Sequence, residues 1–500
     1  MAVPPKKRLI PGTQLNAALI GDLHRMNPWW TGDAAKQTPK TRRHLVGWMQ
    51  WRLRQKLAPI VVVRGPRQIG KTTAQFQVID DLLAEGVTPN RIMRVQYEDG
   101  SELSRLTEPV LRVVEWYEEV VLENTLNNAA SMGQGVYLFL DEVQNLKGWD
   151  SQLKHLVDSS TVQVVVTGSS ALRIEAGRDS LSGRITTIEA GVLSLTEIAA
   201  FKNLDAGSPH LADNGLEPLL DIEWWRDLAV RGGEDVSTAF RAFSDRGGYP
   251  LAHQHADIDW PRIANQLNEN VIRRVIQHDL RVSDRGRKRD AALLEELFRL
   301  ACRYIGQSPG PTTLTREVRR AMGSDVGVQK VREYLRFLDN TLLIRVVPPL
   351  EIRLKKVKGF PKLCLADHAL RASWLQESIP LDPDQLLQQP HMSDLAGHVA
   401  ESVTGTLFAS VDGLDVAHLP ARNEQPEIDF VVTIGDKRIP VEVKYRQRID
   451  PMRDTEGLRT FVETAVNNAP FAIIVTMRPG DGISDPRIIP VPLSSLLLMR

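Results

Sequence analysis

Five hundred residues, at about 150 per domain, allow about three domains with separate cores. Lys plus Arg and Asp plus Glu each number 62, so the net charge is zero, which excludes a globally basic nucleic-acid coat or an acidic disordered tail but not a local basic groove. With 42% hydrophobic and 25% charged residues, two distant cysteines and no apolar run near the ~18–20 residues of a membrane span, the chain reads as soluble, multidomain and cytoplasmic, without a disulfide scaffold or Cys/His metal cluster.

The N-terminal MAVPPKKRLIPGTQ carries two lysines with no apolar stretch behind them, unlike a secretory signal. TRRHLVGWMQWRLRQK predicts an amphipathic helix, with Leu45, Trp48, Met49, Trp51 and Leu53 among five basic residues. Then come an apolar strand, IVVV, a loop with glycine at both ends, and a helix. Apolar strands recur at 136–140 and 162–167 between helical stretches, a pattern that predicts a parallel α/β sheet. Residues 201–290 read as mostly helical, broken at RGGED and DRGGYP. From Ala291 to Leu350 the pattern becomes three short helices and an apolar hairpin around LLIRVVPPL. A proline-bearing connector leads to a last α/β unit: the helix HVAESVTGTLF, the strands EIDFVVTI and RIPVEVKY joined by a GD turn, a helix and the strand FAIIVTM.

Gly65-Pro66-Arg67-Gln68-Ile69-Gly70-Lys71-Thr72 fits GxxxxGK[ST] in full, after a strand and ahead of a helix. The glycines let the backbone wrap a phosphate, so that successive N–H groups and the helix N-terminus face the anion. Gly65, Pro66, Arg67, Gln68, Ile69, Gly70, Lys71, Thr72 and Thr73 are therefore the expected ATP-binding residues, with Lys71 on the outer phosphates and the Thr72 hydroxyl on Mg2+. VYLFLDE supplies the partner signal: Asp141 at the end of a buried strand would complete the magnesium site, and Glu142 would polarise the attacking water as general base. In VVVTGSS, Ser169 is the expected hydroxyl between Glu142 and the γ-phosphate, with Thr167 and Ser170 as alternatives and a helix-capping role as the plain one.

GPRQIGKTT, LFLDEVQNLKGWDSQLKHLVD, VVVTGSSA, LSGR, GGYP, PKLCLADHALR, GHVAESV and EIDFVV…VEVK together resemble a group of prokaryotic AAA+-type P-loop ATPases whose C-terminal half holds a winged helix and a domain of restriction-endonuclease-like fold. The resemblance implies an α/β architecture with an N-terminal extension (1–57), an AAA+ core (58–200), a helical lid (201–290), a winged helix (291–350), a connector (351–390) and a nuclease-like domain (391–500). It also implies that Arg184, in LSGR, is either an arginine finger offered to a neighbouring subunit or an arginine paired within its own domain. A lid arginine sensing nucleotide is implied too, with Arg241, Arg246, Arg273 and Arg274 as candidates.

Three helices and a hairpin in about 60 residues fit a winged helix–turn–helix with VQKVREYLRFL as recognition helix. In VIRRVIQHDLRVSDRGRKRD just before it, basic residues outnumber acidic ones seven to three, which suits a phosphate backbone; packing against other domains and a solvated charged face are the alternatives. In the last unit, Glu442 and Lys444 stand two apart on a strand and so share a face, and the GD turn would bring Asp429 alongside. Asp429, Glu442 and Glu401 would bind Mg2+, with Lys444 steering the attacking water of a phosphodiester hydrolysis; an ion pair between Glu442 and Lys444 in a site that only holds DNA would look the same.

The combined expectation is an ATP-hydrolysing motor that remodels or translocates DNA in repair, recombination or genome defence, selective for DNA structure rather than sequence, and a homo-oligomer of which a hexameric ring is one form. A nucleotide-switched Mg2+-dependent nuclease and a nucleotide-gated protein scaffold are the rival expectations.

Overall fold

The computed structural model describes residues 15–33, 38–98, 100–168, 180–211, 215–278, 290–323, 325–352, 355–356, 359–421, 427–479 and 482–500. The chain divides into two compact units, residues 1–65 with 70–190 and residues 66–69 with 191–500.

In the first unit, the apolar IVVVR forms β1 (Ile60–Arg64). With β2 (Ile92–Gln96), β3 (Tyr137–Asp141), β4 (Gln163–Gly168) and β5 (Ile185–Glu189) it makes a five-stranded sheet ordered β2-β3-β4-β1-β5, every neighbouring pair parallel. Val62, Leu138, Leu140, Val164 and Val166 enter a core with Trp116 and Tyr117 of the helix Pro109–Val120. Each such side chain, fully buried, contributes about 1.5–3 kcal/mol.

β2 is an outer strand of this sheet, and the N-terminal segment covers it. Asn27, fully buried, receives the Arg94 N–H on its Oδ1 at 2.6 Å and donates its amide to the Arg94 carbonyl at 2.8 Å, as a neighbouring strand would. The indoles of Trp29 and Trp30 both donate to the Ile92 carbonyl, at 3.0 and 2.8 Å, and Trp30 stacks on Tyr117. The tryptophan pair thus anchors the N-terminal segment.

In the second unit, the stretch read as helical follows the helix Leu195–Phe201 and contains Ile222–Ala229, Glu234–Arg246, Pro250–Gln254, Trp260–Leu267 and Arg274–His278. The three short helices are Ala291–Arg303, Pro311–Met322 and Val328–Asn340. The hairpin expected around LLIRVVPPL closes later in the chain. β6 (Ile344–Val347) pairs antiparallel with β9 (Lys362–Leu365), after a small ladder of β7 (Glu351–Ile352) and β8 (Lys355–Lys356). Pro348 and Pro349 lack the N–H that an immediate return would need, so the partner strand lies in the segment read as a connector.

The last sheet is β10 (Asp415–Leu419), β11 (Ile428–Ile434), β12 (Lys437–Lys444), β13 (Ala472–Thr476) and β14 (Ile488–Pro492), in that order; the first three pair antiparallel and the last three parallel. The helix Ser393–Ala409 lies against it, and Gly405 marks the closest approach. A Cβ there would stand 2.6 Å from the Phe430 ring and 2.7 Å from Cys364 Sγ. Glu401 sits one turn earlier on the same face, so the approach that the glycine permits also carries Glu401 onto the sheet. Among the described residues, no helix is long and apolar enough to cross a membrane.

Candidate active site

The turn from β1 into the helix Lys71–Ala84 is made by Gly65 to Gly70, with Gly70 at φ 89°, a left-handed conformation that a Cβ would strain, and Gln68 also left-handed at φ 64°. Ile69 is fully buried, Arg67 and Thr73 are half-buried and Gln68 is exposed. Lys71 is buried, and its ammonium donates to the Gly65 carbonyl at 2.9 Å, which folds the side chain back along its own loop.

Asp141 ends β3 opposite Thr167 on β4 and Gln96 on β2. The Thr72 hydroxyl donates to Asp141 Oδ2 at 2.9 Å, and the Thr167 hydroxyl donates to Oδ1. Gln75, one turn along the helix from Thr72, donates to Thr167 at 3.0 Å. Glu142 follows in a left-handed conformation, φ 55°, with its carboxylate receiving the Gln144 amide. The expected phosphate loop, Thr72, Asp141 and Glu142 therefore come together. Of the hydroxyls considered in VVVTGSS, Thr167 on β4 is the one placed here; Ser169 and Ser170 lie outside the described residues.

One participant was not anticipated. Arg94 of β2, 3% exposed, bonds Asp141 Oδ2 through Nη2 at 2.9 Å, Gln75 Oε1 through Nε at 3.3 Å, and lies over the Phe76 ring at 4.5 Å. Burial lowers its guanidinium below the ordinary arginine value, opposed by the Asp141 charge. A lone arginine in IMRVQ gives no sequence signal of this kind. Arg184 takes the intradomain alternative in this structure: it grips Asp158 with Nε at 2.5 Å and Nη2 at 3.0 Å. Among the lid candidates, Arg241 pairs with Asp382 at 3.4 Å, Arg246 donates to the carbonyls of Ala252, His255 and Ile258, and Arg273 pairs with Glu269 at 2.6 Å.

In the second unit, the expected C-terminal residues also converge. The Val443 N–H on β12 donates to Asp429 Oδ2 at 2.9 Å, and the Asp429 N–H approaches Glu442 Oε2 at 3.4 Å. Lys444 Nζ lies 2.5 Å from Glu442 Oε1, the ion pair that the spacing allowed. Again one cation was missed. Lys362 of β9, 1% exposed, reaches Asp429 Oδ1 at 2.6 Å, Glu401 Oε2 at 3.0 Å and Glu427 Oε1 at 3.7 Å. Burial alone would raise the Asp429 carboxyl, but the Lys362 ammonium and its hydrogen bond hold it below its usual range. Burial and then the Asp429 charge push Glu442 up to about 8.

The two clusters differ in what they can hold. Thr72 and Asp141 present adjacent hard oxygen donors next to the phosphate loop, a set that fits Mg2+. The C-terminal carboxylates do not present such a set. Among the described residues, no group of three or more His, Cys, Asp or Glu side chains is arranged to hold a metal ion, and here Lys362 fills the space between Asp429 and Glu401.

Residues 57–199 match the AAA domain family, and residues 238–379 match a domain of unknown function (DUF8612). The second match begins inside the segment read as a lid and ends inside the one read as a connector. An uncharacterized protein of Haemophilus influenzae is 22% identical over 392 residues, 77% of this chain and 82% of that protein. An uncharacterized protein of Methanocaldococcus jannaschii is 28% identical over 120 residues, 24% of this chain and 23% of its own length. Among solved structures, the S. cerevisiae Hsp104-ADP complex aligns with a TM-score of 0.30 and 14% identity, over 61% of this chain and 40% of that one. The first family match makes the region spanning β1 to β5 an AAA-type P-loop ATPase domain, which implies nucleotide binding, usually with Mg2+, and hydrolysis.

Proposed function

We propose that the chain is an ATP-hydrolysing motor that moves or remodels DNA, choosing its substrate by structure rather than by base sequence. The observation that carries the reading is the convergence of Lys71, Thr72, Asp141 and Glu142 at one end of the parallel sheet. In this reading the loop N–H groups and Lys71 neutralise the outer phosphates, and Thr72 with Asp141 holds Mg2+, which supplies further neutralisation of the phosphate oxygens when bound. Glu142 accepts the proton of the attacking water as the oxygen bonds to the γ-phosphorus and the bond to the leaving diphosphate breaks. Ser169 would aim its hydroxyl at the same phosphate. Arg184 would leave Asp158 to act as a finger towards the next subunit of a homo-oligomer.

The DNA part of the reading draws support from the second unit. The helices Pro311–Met322 and Val328–Asn340 expose Arg316, Arg319, Arg320, Lys330, Arg332 and Arg336, against Asp325 and Glu333 exposed nearby. Arg316, Arg319 and Arg320 line an open cavity of about 430 Å3 with Thr312, Thr315 and Val328. Forked cations and hydroxyls around an open groove suit a sugar-phosphate backbone. Most of the basic run at 271–290, residues 279–289, lies outside the described residues.

The test is phosphate release in Mg2+ with no DNA, single strands, duplex, forks and four-way junctions, using Lys71→Ala as the blank. A several-fold rise with one class supports the motor and names its substrate. A response flat across all of them overturns the DNA reading and leaves the ATPase.

A further inference from the structure

We propose that Lys362 is the permanent counter-ion of the C-terminal carboxylate cluster, standing where a divalent cation would have to stand, so that this nuclease-like centre is complete without metal. The inference is independent of the motor reading, since it concerns only β9, β11, β12 and the helix Ser393–Ala409.

The geometry carries it. A magnesium- or manganese-dependent centre needs carboxylate oxygens that converge on a volume no other cation fills. Here the ammonium of Lys362 occupies the convergence point, 2.6 Å from Asp429 Oδ1 and 3.0 Å from Glu401 Oε2, distances at which no second cation fits between them. Glu427 also approaches Lys362, at 3.7 Å, and Glu442 has its own ammonium in Lys444 at 2.5 Å. Each half of the cluster is thus closed by a lysine.

Lys362 is also built in rather than swung in. Its side chain is 1% exposed, its strand is hydrogen-bonded to β6, and its ammonium rests 5.2 Å from the centre of the Phe430 ring. The helix bearing Glu401 is held down over it by the close contact at Gly405. A lysine so enclosed cannot leave for solvent without parting the helix from the sheet. Removing it would take away the cation that lies between Asp429 and Glu401, leaving His398 Nδ1 3.6 Å from Glu401 as a basic neighbour, and would open their oxygens to a divalent ion.

The experiment follows Mn2+ by electron paramagnetic resonance and by thermal unfolding on the full chain without nucleotide. Wild type and Asp429→Asn should bind Mn2+ identically, with no shift in unfolding temperature from this centre. Lys362→Ala should unfold earlier in buffer and gain several degrees on adding Mn2+, together with a saturable site; Lys362→Ala combined with Asp429→Asn should gain neither. A saturable wild-type site that disappears in Asp429→Asn overturns the proposal, as does a folded Lys362→Ala with no Mn2+ response. If Lys362→Ala does not fold, the comparison of wild type with Asp429→Asn decides alone.

Discussion

Arg94 Nη2 stands 2.9 Å from Asp141 Oδ2 in a salt bridge closed to water, the two side chains 3% and 1% exposed. The same oxygen accepts the Thr72 hydroxyl, so the carboxylate proposed to share Mg2+ is held from the sheet side by a fixed cation. Removing one partner of such a pair leaves the other charge buried alone.

Arg94→Ala should therefore lose about 3–5 kcal/mol of stability, read from denaturant midpoints. Arg94→Met combined with Asp141→Asn, which removes both charges, should recover much of that. Equal losses in the single and double variants would mean that the pair contributes packing rather than charge.

The two ends of the phosphate site should fail differently. Lys71→Ala should lose nucleotide binding in an equilibrium assay. Glu142→Gln should still bind and then retain ATP, with turnover reduced about 10²–10⁴-fold. Normal turnover in the glutamine variant would remove Glu142 from the chemistry.

Arg184 already has a partner in Asp158 at 2.5 Å, and its two roles separate by mixing. If it acts across subunits, inactive Arg184→Ala should regain phosphate release when mixed with inactive Glu142→Gln, since a finger can contribute about 10³–10⁵ in rate. No rescue would leave Arg184 as a partner of Asp158 alone.

The exposed arginines of the helix Pro311–Met322 offer a salt test. Arg316→Gln, Arg319→Gln and Arg320→Gln together should leave DNA-free hydrolysis unchanged and weaken DNA binding, reducing the slope of log affinity against log salt by about three. An unchanged slope would place the DNA elsewhere or nowhere.

Acid sensitivity should come partly from two histidines. Burial holds His253 and His418 down to about 4, each neutral ring donating to a carbonyl, Gly247 and Phe360 respectively, at 2.7 Å. An unfolded histidine takes its proton near 6.5, so between pH 6.5 and about 4 the unfolded chain binds more protons and stability falls as pH falls. Each residue should account for up to about 3 kcal/mol, fully present above 6.5. His418→Gln should flatten that fall in denaturant midpoints measured from pH 7.5 to 4.5; an unchanged profile would remove His418 from it.

What could be read from the chain beforehand was whatever a short string announces by its own pattern. The phosphate loop occupies consecutive positions, and Glu442 and Lys444 share a face by strand alternation alone. Both new cations come from elsewhere. Arg94 meets Asp141 on the paired strand β3, 47 residues on, and Lys362 meets Asp429 of a different sheet, 67 residues on. Each looked like an ordinary charge at its own position. β14 escaped because its two prolines, Pro490 and Pro492, argue against a strand, and β5 because Thr186 and Thr187 interrupt its apolar run. The late partner of β6 was hidden by an intervening ladder that no local pattern announces.

The side-chain amide of Asn27, seated against both backbone groups of Arg94, has a practical consequence for dissecting the molecule. A fragment trimmed to the family match, beginning at residue 57, would shed Asn27, the Trp29–Trp30 pair and the leucines at 15, 19 and 23, and bare one whole side of β2. Naked strand edges pair with one another, so that fragment should cluster at concentrations where one starting at residue 15 stays dispersed. The stretch ahead of the ATPase domain thus closes the open edge of its sheet with side chains instead of a strand.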